Sequence, residues 1–239
     1  MAESGTRDQN KDQAQGNAQD RRCRGRPQLR PDQETRQIIY EAARQEFAGN
    51  GYAATSMEAV ARLAGVSTKT LYRLIPTKAD LFSLVVTERT GRFMLAFDSD
   101  AEDLADPADA LERILIAYGT LTLEAETIAI NRLVIGECDR FPEIAALFYA
   151  NAIVRTNVAM TTWLTRLCER GQIQLADPQL ATGMLRGMMI LEPQRAAILG
   201  QRPAPDAAEI AERARACAAL FLNGCRPPQI GRASCRERV

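Results

Sequence analysis

A 239-residue chain with no histidine, its 30 Lys and Arg balanced by 30 Asp and Glu, narrows its own chemistry at once. The missing imidazoles exclude His-based acid–base catalysis, Ser–His and Cys–His nucleophilic pairs and most zinc and iron sites. With 46% apolar but only 5% aromatic residues, the composition favours a packed helical core over sheets.

No run of about 18 apolar residues occurs and the N-terminus is polar, so the expectation is a cytoplasmic chain without membrane span or signal peptide. The six cysteines (Cys23, Cys138, Cys168, Cys217, Cys225 and Cys235) show no C-x-x-C spacing. They read as reduced thiols, with no metal site and no cofactor.

In chain order, residues 1–31 hold almost no large apolar side chains and read as a disordered basic arm. Arg21, Arg22, Arg24, Arg26, Arg30 and Arg36 face only Asp32 and Glu34 across this stretch. "RGRP", Arg24 to Pro27, has the form of an AT-hook-like element, in which Arg24 and Arg26 enter a narrow A·T minor groove. A solvated linker accounts for it equally well.

From Thr35, apolar residues at Ile38, Ile39, Ala42, Ala43 and Phe47 recur at helical spacing and stop at "GNGY". Thr55 with Glu58 fits a capping box that opens a short second helix. "AGV" makes a turn, and Ser67 caps a third helix that runs to about Leu74. Thr77 and Asp80 cap a fourth, longer helix through Phe93 to Phe97.

After the acidic stretch 98–109, five further helices are expected, at about 107–124, 125–139, 142–170, 177–191 and 206–223. The prediction is therefore an all-α chain of about nine helices. A helix-turn-helix domain spans 32–82, with the fourth helix continuing to about 97, and a helical ligand-binding and dimerisation domain spans 98–229. Residues 230–239, "IGRASCRERV", read as the translation of a sequencing adapter and are set aside, the other reading being a genuine basic tail.

The stretch from Thr35 to Phe82 resembles the N-terminal DNA-binding domain of TetR/AcrR-type transcriptional regulators. The residues that carry the resemblance are Gly51, Thr55, the A-x-x-A-G-V-S run from Ala61 to Ser67, Leu71, Tyr72, Lys78 and Leu81. Leu74 and Ile75 depart from it, since the family usually places ring-bearing residues there. Independently, Thr68, Lys69, Thr70 and Arg73 offer donors from one side of a helix that fits a major groove. The resemblance implies that Tyr72 reaches a phosphate. Lys78, in the first turn of the fourth helix, sits where the helix N-terminus favours a phosphate too. Thr55, Ser67, Thr68, Lys69, Thr70, Tyr72, Arg73 and Lys78, with Arg24 and Arg26, are the expected DNA-binding set.

Asn131 to Tyr149 is similar to the C-terminal domain of the AcrR/AefR-like branch. That resemblance implies a small-molecule effector, a homodimer and a repressor released from its operator. Tyr118, Phe148, Met160, Trp163, Met184 and Met188 are candidates for an effector pocket; each taken singly reads more readily as core, and as a set some are expected to line a cavity. Met184, Met188, Ile190 and Leu191, with Ala218, Leu220 and Phe221, are expected at a two-chain four-helix interface. An enzyme and a helical interaction module without DNA binding are the competing classes. Phosphate loops, nucleophile motifs and metal spacings are missing, which weighs against the enzyme.

Overall fold

The computed structural model describes residues 30–102 and 106–225. Arg24, Arg26, most of the basic arm and the segment 230–239 lie outside the described residues, so those expectations meet no structure here. Within them the secondary structure is entirely helical: α1 (Asp32–Ala54), α2 (Met57–Leu63), α3 (Thr68–Leu74), α4 (Lys78–Glu102), α5 (Pro107–Leu123) and α6 (Ala125–Glu137). There follow α7 (Pro142–Phe148), a π-helical stretch (Tyr149–Val154), α8 (Arg155–Glu169), α9 (Pro178–Ile198) and α10 (Ala207–Gly224). The α7, π and α8 segments join without leaving right-handed helical angles, so they make one rod interrupted by wider turns. Counted that way, the described residues form nine helices.

Local chemistry explains most boundaries. Asp106 and Asp177 each accept hydrogen bonds from two backbone N–H groups, and each is followed by a proline at the first helical position. Asp206 and Glu209 form a full capping box at α10, as do Thr77 and Asp80 before α4. At α2 the cap is one residue later than the sequence suggested. Ser56 Oγ accepts from Ala59 N at 3.1 Å, whereas Thr55 is buried and donates to the Gly51 carbonyl at 2.7 Å. Two adjacent hydroxyls compete for the cap, and the one that can also stay solvated takes it.

Gly51 is the hinge of α1. Its φ of 77° with ψ of 178° lies in a region essentially reserved for glycine, and it turns the last residues of α1 out of line. Gly65, at φ 64°, closes the turn after α2, where Val66 N reaches back to Ala61 O at 3.0 Å.

Two buried clusters follow. One gathers Ile39, Phe47, Tyr52, Val60, Leu71, Leu81 and Phe82 around α1–α4 and includes Ile130, Leu133 and Val134 of α6 and Ile144 of α7. Its rings interlock: Phe47 stacks on Tyr52, and Phe82 meets both edge-on at 5.6 and 5.8 Å. The other joins Phe93 and Phe97 of α4 to Leu111, Ile114, Tyr118, Trp163, Leu164, Met189 and Phe221. Here α5 comes close to its neighbours: a Cβ on Gly119 would lie 2.5 Å from Met189 Cε and 2.8 Å from Ile210 Cγ2. Helix α4 contributes to both clusters and ties the two halves together.

Candidate nucleic-acid interface and effector cavity

Helix α3 is seven residues long and strongly divided. Leu71 and Leu74 are buried, with Ile75 behind them, which accounts for aliphatic side chains where the family resemblance favours rings. Thr68, Lys69, Tyr72 and Arg73 are exposed and Thr70 half-exposed. Ser67 caps the helix through Thr70 N at 3.0 Å, and its hydroxyl pairs with Thr70 Oγ1 at 2.8 Å. Ser67 and Thr70 thus serve the helix end as well as its surface.

Two polar side chains on this face, Tyr72 and Arg73, are held by acids. Tyr72, 44% exposed, donates from its hydroxyl to Glu58 Oε1 at 3.2 Å. Desolvation and then the Glu58 carboxylate push its phenol above the usual range. Arg73 makes a two-pronged pair with Asp32 of α1, at 2.7 and 3.0 Å, and that hydrogen bond raises its pKa further.

Lys78 stands at the start of α4 as expected, with its ammonium already engaged. Its ammonium donates to the carbonyls of Tyr52 (2.7 Å), Ala53 (3.3 Å) and Thr55 (2.8 Å) and sits 4.5 Å from the centre of the Tyr52 ring. It therefore satisfies the acceptors that α1 leaves open after Gly51 rather than standing free for a phosphate. Desolvation lowers its pKa first, partly offset by Glu137. Thr55 likewise has its hydroxyl turned inward, so neither side chain lies ready for DNA in this arrangement.

Helix α6 grips the same region from both ends. At its C-terminal end Glu137 accepts from Tyr52 N (2.9 Å) and Ala53 N (2.8 Å), the donors exposed by the Gly51 kink. At its N-terminal end Glu126 pairs with Arg44 of α1 and, at 2.6 Å, with Arg89 of α4. Arg89 also pairs with Glu124 and donates to Thr127 Oγ1 at 2.6 Å, with only 11% of its side chain exposed.

The middle of α6 lines a partly open cavity of about 130 Å³ between α4, α5, α6, α9 and the α7–π–α8 rod. Its walls are mostly apolar, including Val86, Leu121, Ile130, Phe148, Ile153 and Ile190. Of the six expected pocket residues, Tyr118 and Phe148 line this cavity. Met160 and Trp163 are instead core residues of the C-terminal cluster. Met184 (59% exposed) and Met188 (37%) point outward. The sequence reading missed Arg186, Arg89, Asn131 and Gln194, all of which line the cavity. A lone arginine inside "GMLRGMMIL", Gly183 to Leu191, was the available signal for the first.

Arg186 donates to Tyr118 Oη (2.8 Å), Asn157 Oδ1 (3.1 Å) and Thr156 Oγ1 (3.4 Å), and its guanidinium lies 5.2 Å from the Tyr118 ring centre. Burial raises the Tyr118 pKa, while Arg186 pulls it back. The expected interface set divides: Met184, Met188, Leu191 and Leu220 are exposed, whereas Ala218 and Phe221 are buried and Ile190 packs against the core.

Comparison with known proteins agrees with this architecture. Residues 39–85 match the family described as bacterial regulatory proteins, tetR family, and residues 109–224 match the C-terminal domain of AefR-like transcriptional repressors. The chain is 30% identical over 145 residues to the HTH-type transcriptional regulator TtgR of Pseudomonas putida, covering 59% of this chain and 69% of that protein. A TetR-family structure from Mesorhizobium loti superposes with a TM-score of 0.72 at 26% identity, covering 83% of this chain and all of that one (100%). The flavonoid-responsive regulator FrrA superposes at 0.61 with 27% identity, covering 82% of this chain and 99% of its own. The chain belongs to the TetR family of bacterial DNA-binding transcriptional regulators.

Proposed function

We propose that this regulator is a repressor that binds its operator as a homodimer and leaves it when a small molecule fills the α4–α9 cavity. Thr68, Lys69 and Thr70 read base edges from the start of α3, and Tyr72 and Arg73 exchange their acidic partners for phosphates. Lys78 acts behind them, holding the Tyr52–Thr55 backbone that α2 and α3 lean on. Should the basic arm reach the minor groove, Arg24 and Arg26 add affinity without contributing to α3's readout.

Support for the dimer comes from the outward stripe of Leu180, Met184, Met188 and Leu191 on α9, with Leu220 on α10, all large apolar side chains left uncovered. Pairing through these helices sets the spacing of two α3 helices, which must match a helical turn of DNA, roughly 34–36 Å.

The observation that carries the effector reading is the position of α6. Its two ends hold α1 through Glu126–Arg44 and Glu137–Tyr52/Ala53, while Thr127, Ile130 and Asn131 between them line the cavity. A ligand that displaces α6 or α4 therefore moves the DNA-reading half as well, and it acts through its different affinity for the two arrangements. The relative FrrA is flavonoid-responsive by its own description, which supports effector control of this architecture.

The test uses duplexes selected by the purified protein from a random pool, followed by footprinting of the selected sequence with candidate effectors. A two-fold-symmetric footprint that one compound class abolishes is the expected result. A chain that selects no sequence, or whose footprint no cavity-filling compound changes, overturns the reading.

A further inference from the structure

We infer that the effector cavity is built for a compact carboxylate: an apolar body, about one aromatic ring in size, carrying one acidic group that docks on Arg186. This deepens the effector reading above and rests on it.

The charge around the cavity makes the case. Two cations and no Asp or Glu line it, namely Arg89 and Arg186. Arg89 is matched by Glu124 and Glu126, and Arg44, which shares Glu126, is also held by Glu41, so no positive charge is left over in that cluster. Arg186 has no carboxylate partner among the described residues; its three hydrogen bonds go to the neutral oxygens of Tyr118, Asn157 and Thr156. The cavity wall therefore carries one unmatched positive charge against a mostly apolar lining. Such a charge beside a mostly apolar wall favours an anion as its partner.

The donor inventory fits a carboxylate. A guanidinium has five N–H donors, and Arg186 spends one on each nitrogen, which leaves one on Nη1 and one on Nη2. These spare donors can serve the oxygens of a carboxylate, to which a guanidinium gives charge-assisted hydrogen bonds. The Tyr118 hydroxyl, whose oxygen is taken up by Arg186, has its own proton without an acceptor among the described residues, so it can donate to the same anion. Thr156 stays in place by donating back to Ala152 at 2.7 Å, across the end of the π-helical stretch. That stretch brings Ala152 and Ile153 to the cavity wall, and such wide turns recur at functional sites.

Size sets the rest. A cavity of about 130 Å³ is close to the roughly 150 Å³ that accommodates a benzene ring in an engineered apolar cavity. Ile130, Phe148, Ile153 and Ile190 provide the apolar wall for such a ring. A three-ring neutral polyphenol would require the helices to part.

The experiment is calorimetric titration of the full chain at neutral pH with benzoate and with its neutral amide, benzamide. The acid should bind about 10- to 100-fold more tightly than the amide, the range expected for a charge-assisted hydrogen-bonded pair. In Arg186→Gln that preference should vanish with amide affinity unchanged, and in Arg186→Lys part of it should return. Equal affinities for acid and amide in the unaltered chain, or an acid preference that survives Arg186→Gln, overturn the assignment. The unaltered chain answers the first question by itself, so a variant that misfolds does not shield the idea. The two readings separate cleanly. Acid binding without any change in operator affinity sinks effector control but not the assignment. Release by a neutral compound, with no acid bound, sinks the assignment but not effector control.

Discussion

The two halves of this regulator are built by different physics. In the N-terminal half, short helices end at caps a few residues apart, and the exposed polar face of α3 follows from which of its seven residues are apolar. In the C-terminal half, the cavity draws on five helical rods and its key cation comes from the middle of α9. Local chemistry writes the first, long-range packing the second. Helix α6 belongs to both, with Ile130, Leu133 and Val134 in the N-terminal core and Thr127 and Asn131 at the cavity. A regulator needs such an element, because two independently stable halves have no means of telling each other anything.

The largest expected effect tests that joint. Gly51→Ala places a Cβ 2.8 Å from Glu137 Oε1 and forces a side-chain-bearing residue into a glycine-only conformation. The backbone strain alone should cost about 1–3 kcal/mol, and Glu137 can escape the contact only by releasing Tyr52 and Ala53. Urea denaturation of Gly51→Ala and Gly65→Ala makes the comparison, since the second site has open space around it. Equal losses would mean that Glu137 contributes nothing. Next comes Lys78→Met, which keeps the aliphatic stem but leaves three carbonyls without their ammonium. Stability should fall by about 1–3 kcal/mol, with DNA affinity falling alongside it for all sequences. A loss of DNA affinity with unchanged stability would instead place the ammonium on a phosphate.

The same contrast explains what could be read in advance. The cap at Ser67 was visible because it is a short-range bond between a side chain and a nearby N–H group, and the helix starts at Asp106, Asp177 and Asp206, which rest on the same local chemistry, were placed to within a residue. The π-helical stretch was not, because apolar periodicity runs on through 142–170 without a break and nothing local marks the wider turn. Met184 and Met188 were chosen for the pocket on residue type alone. Helix α9 is apolar on more than one side, so its sequence does not say which side faces inward. Leu185 and Met189 took the core and Arg186 the cavity, which left the two expected methionines outside. Lys78 was placed correctly on its helix, but its partners come from residues 23 to 26 positions earlier, through a kink that only the folded chain displays.

Alkaline pH should report on the joint without any mutation. Burial, followed by the Glu143 and Glu137 carboxylates, pushes the Tyr52 phenol from 10.0 to about 12. In the unfolded chain it ionises near 10, so between these values the unfolded state has lost the proton that the folded state keeps. The stability contributed by keeping that proton is therefore fully present below about 10 and is lost as pH rises through that window. Tyr52→Phe should flatten that part of the curve when melting is followed from pH 9 to 12. An unchanged slope would show that the phenol is not held among those carboxylates.

The smallest effect on stability carries the sharpest test of the DNA-reading half. Asp32 and Arg73 are each about half exposed (45% and 51%), and surface pairs of this kind contribute roughly 0–1 kcal/mol. Asp32→Asn should therefore barely move the denaturation midpoint. Its effect on DNA should be larger, because the substitution removes a negative charge beside α3 and releases a guanidinium that phosphates otherwise have to win from Asp32. Operator affinity should rise a few-fold. The plot of log affinity against log salt should steepen by about one unit, as expected for one more phosphate contact. Arg73→Ala should remove that gain and render the second change at Asp32 silent except for its charge. If Asp32→Asn and Arg73→Ala both leave affinity and salt slope where they were, the polar side of α3 is only a solvated face. The division of labour between a reading half and a sensing half would then have to be redrawn around some other surface.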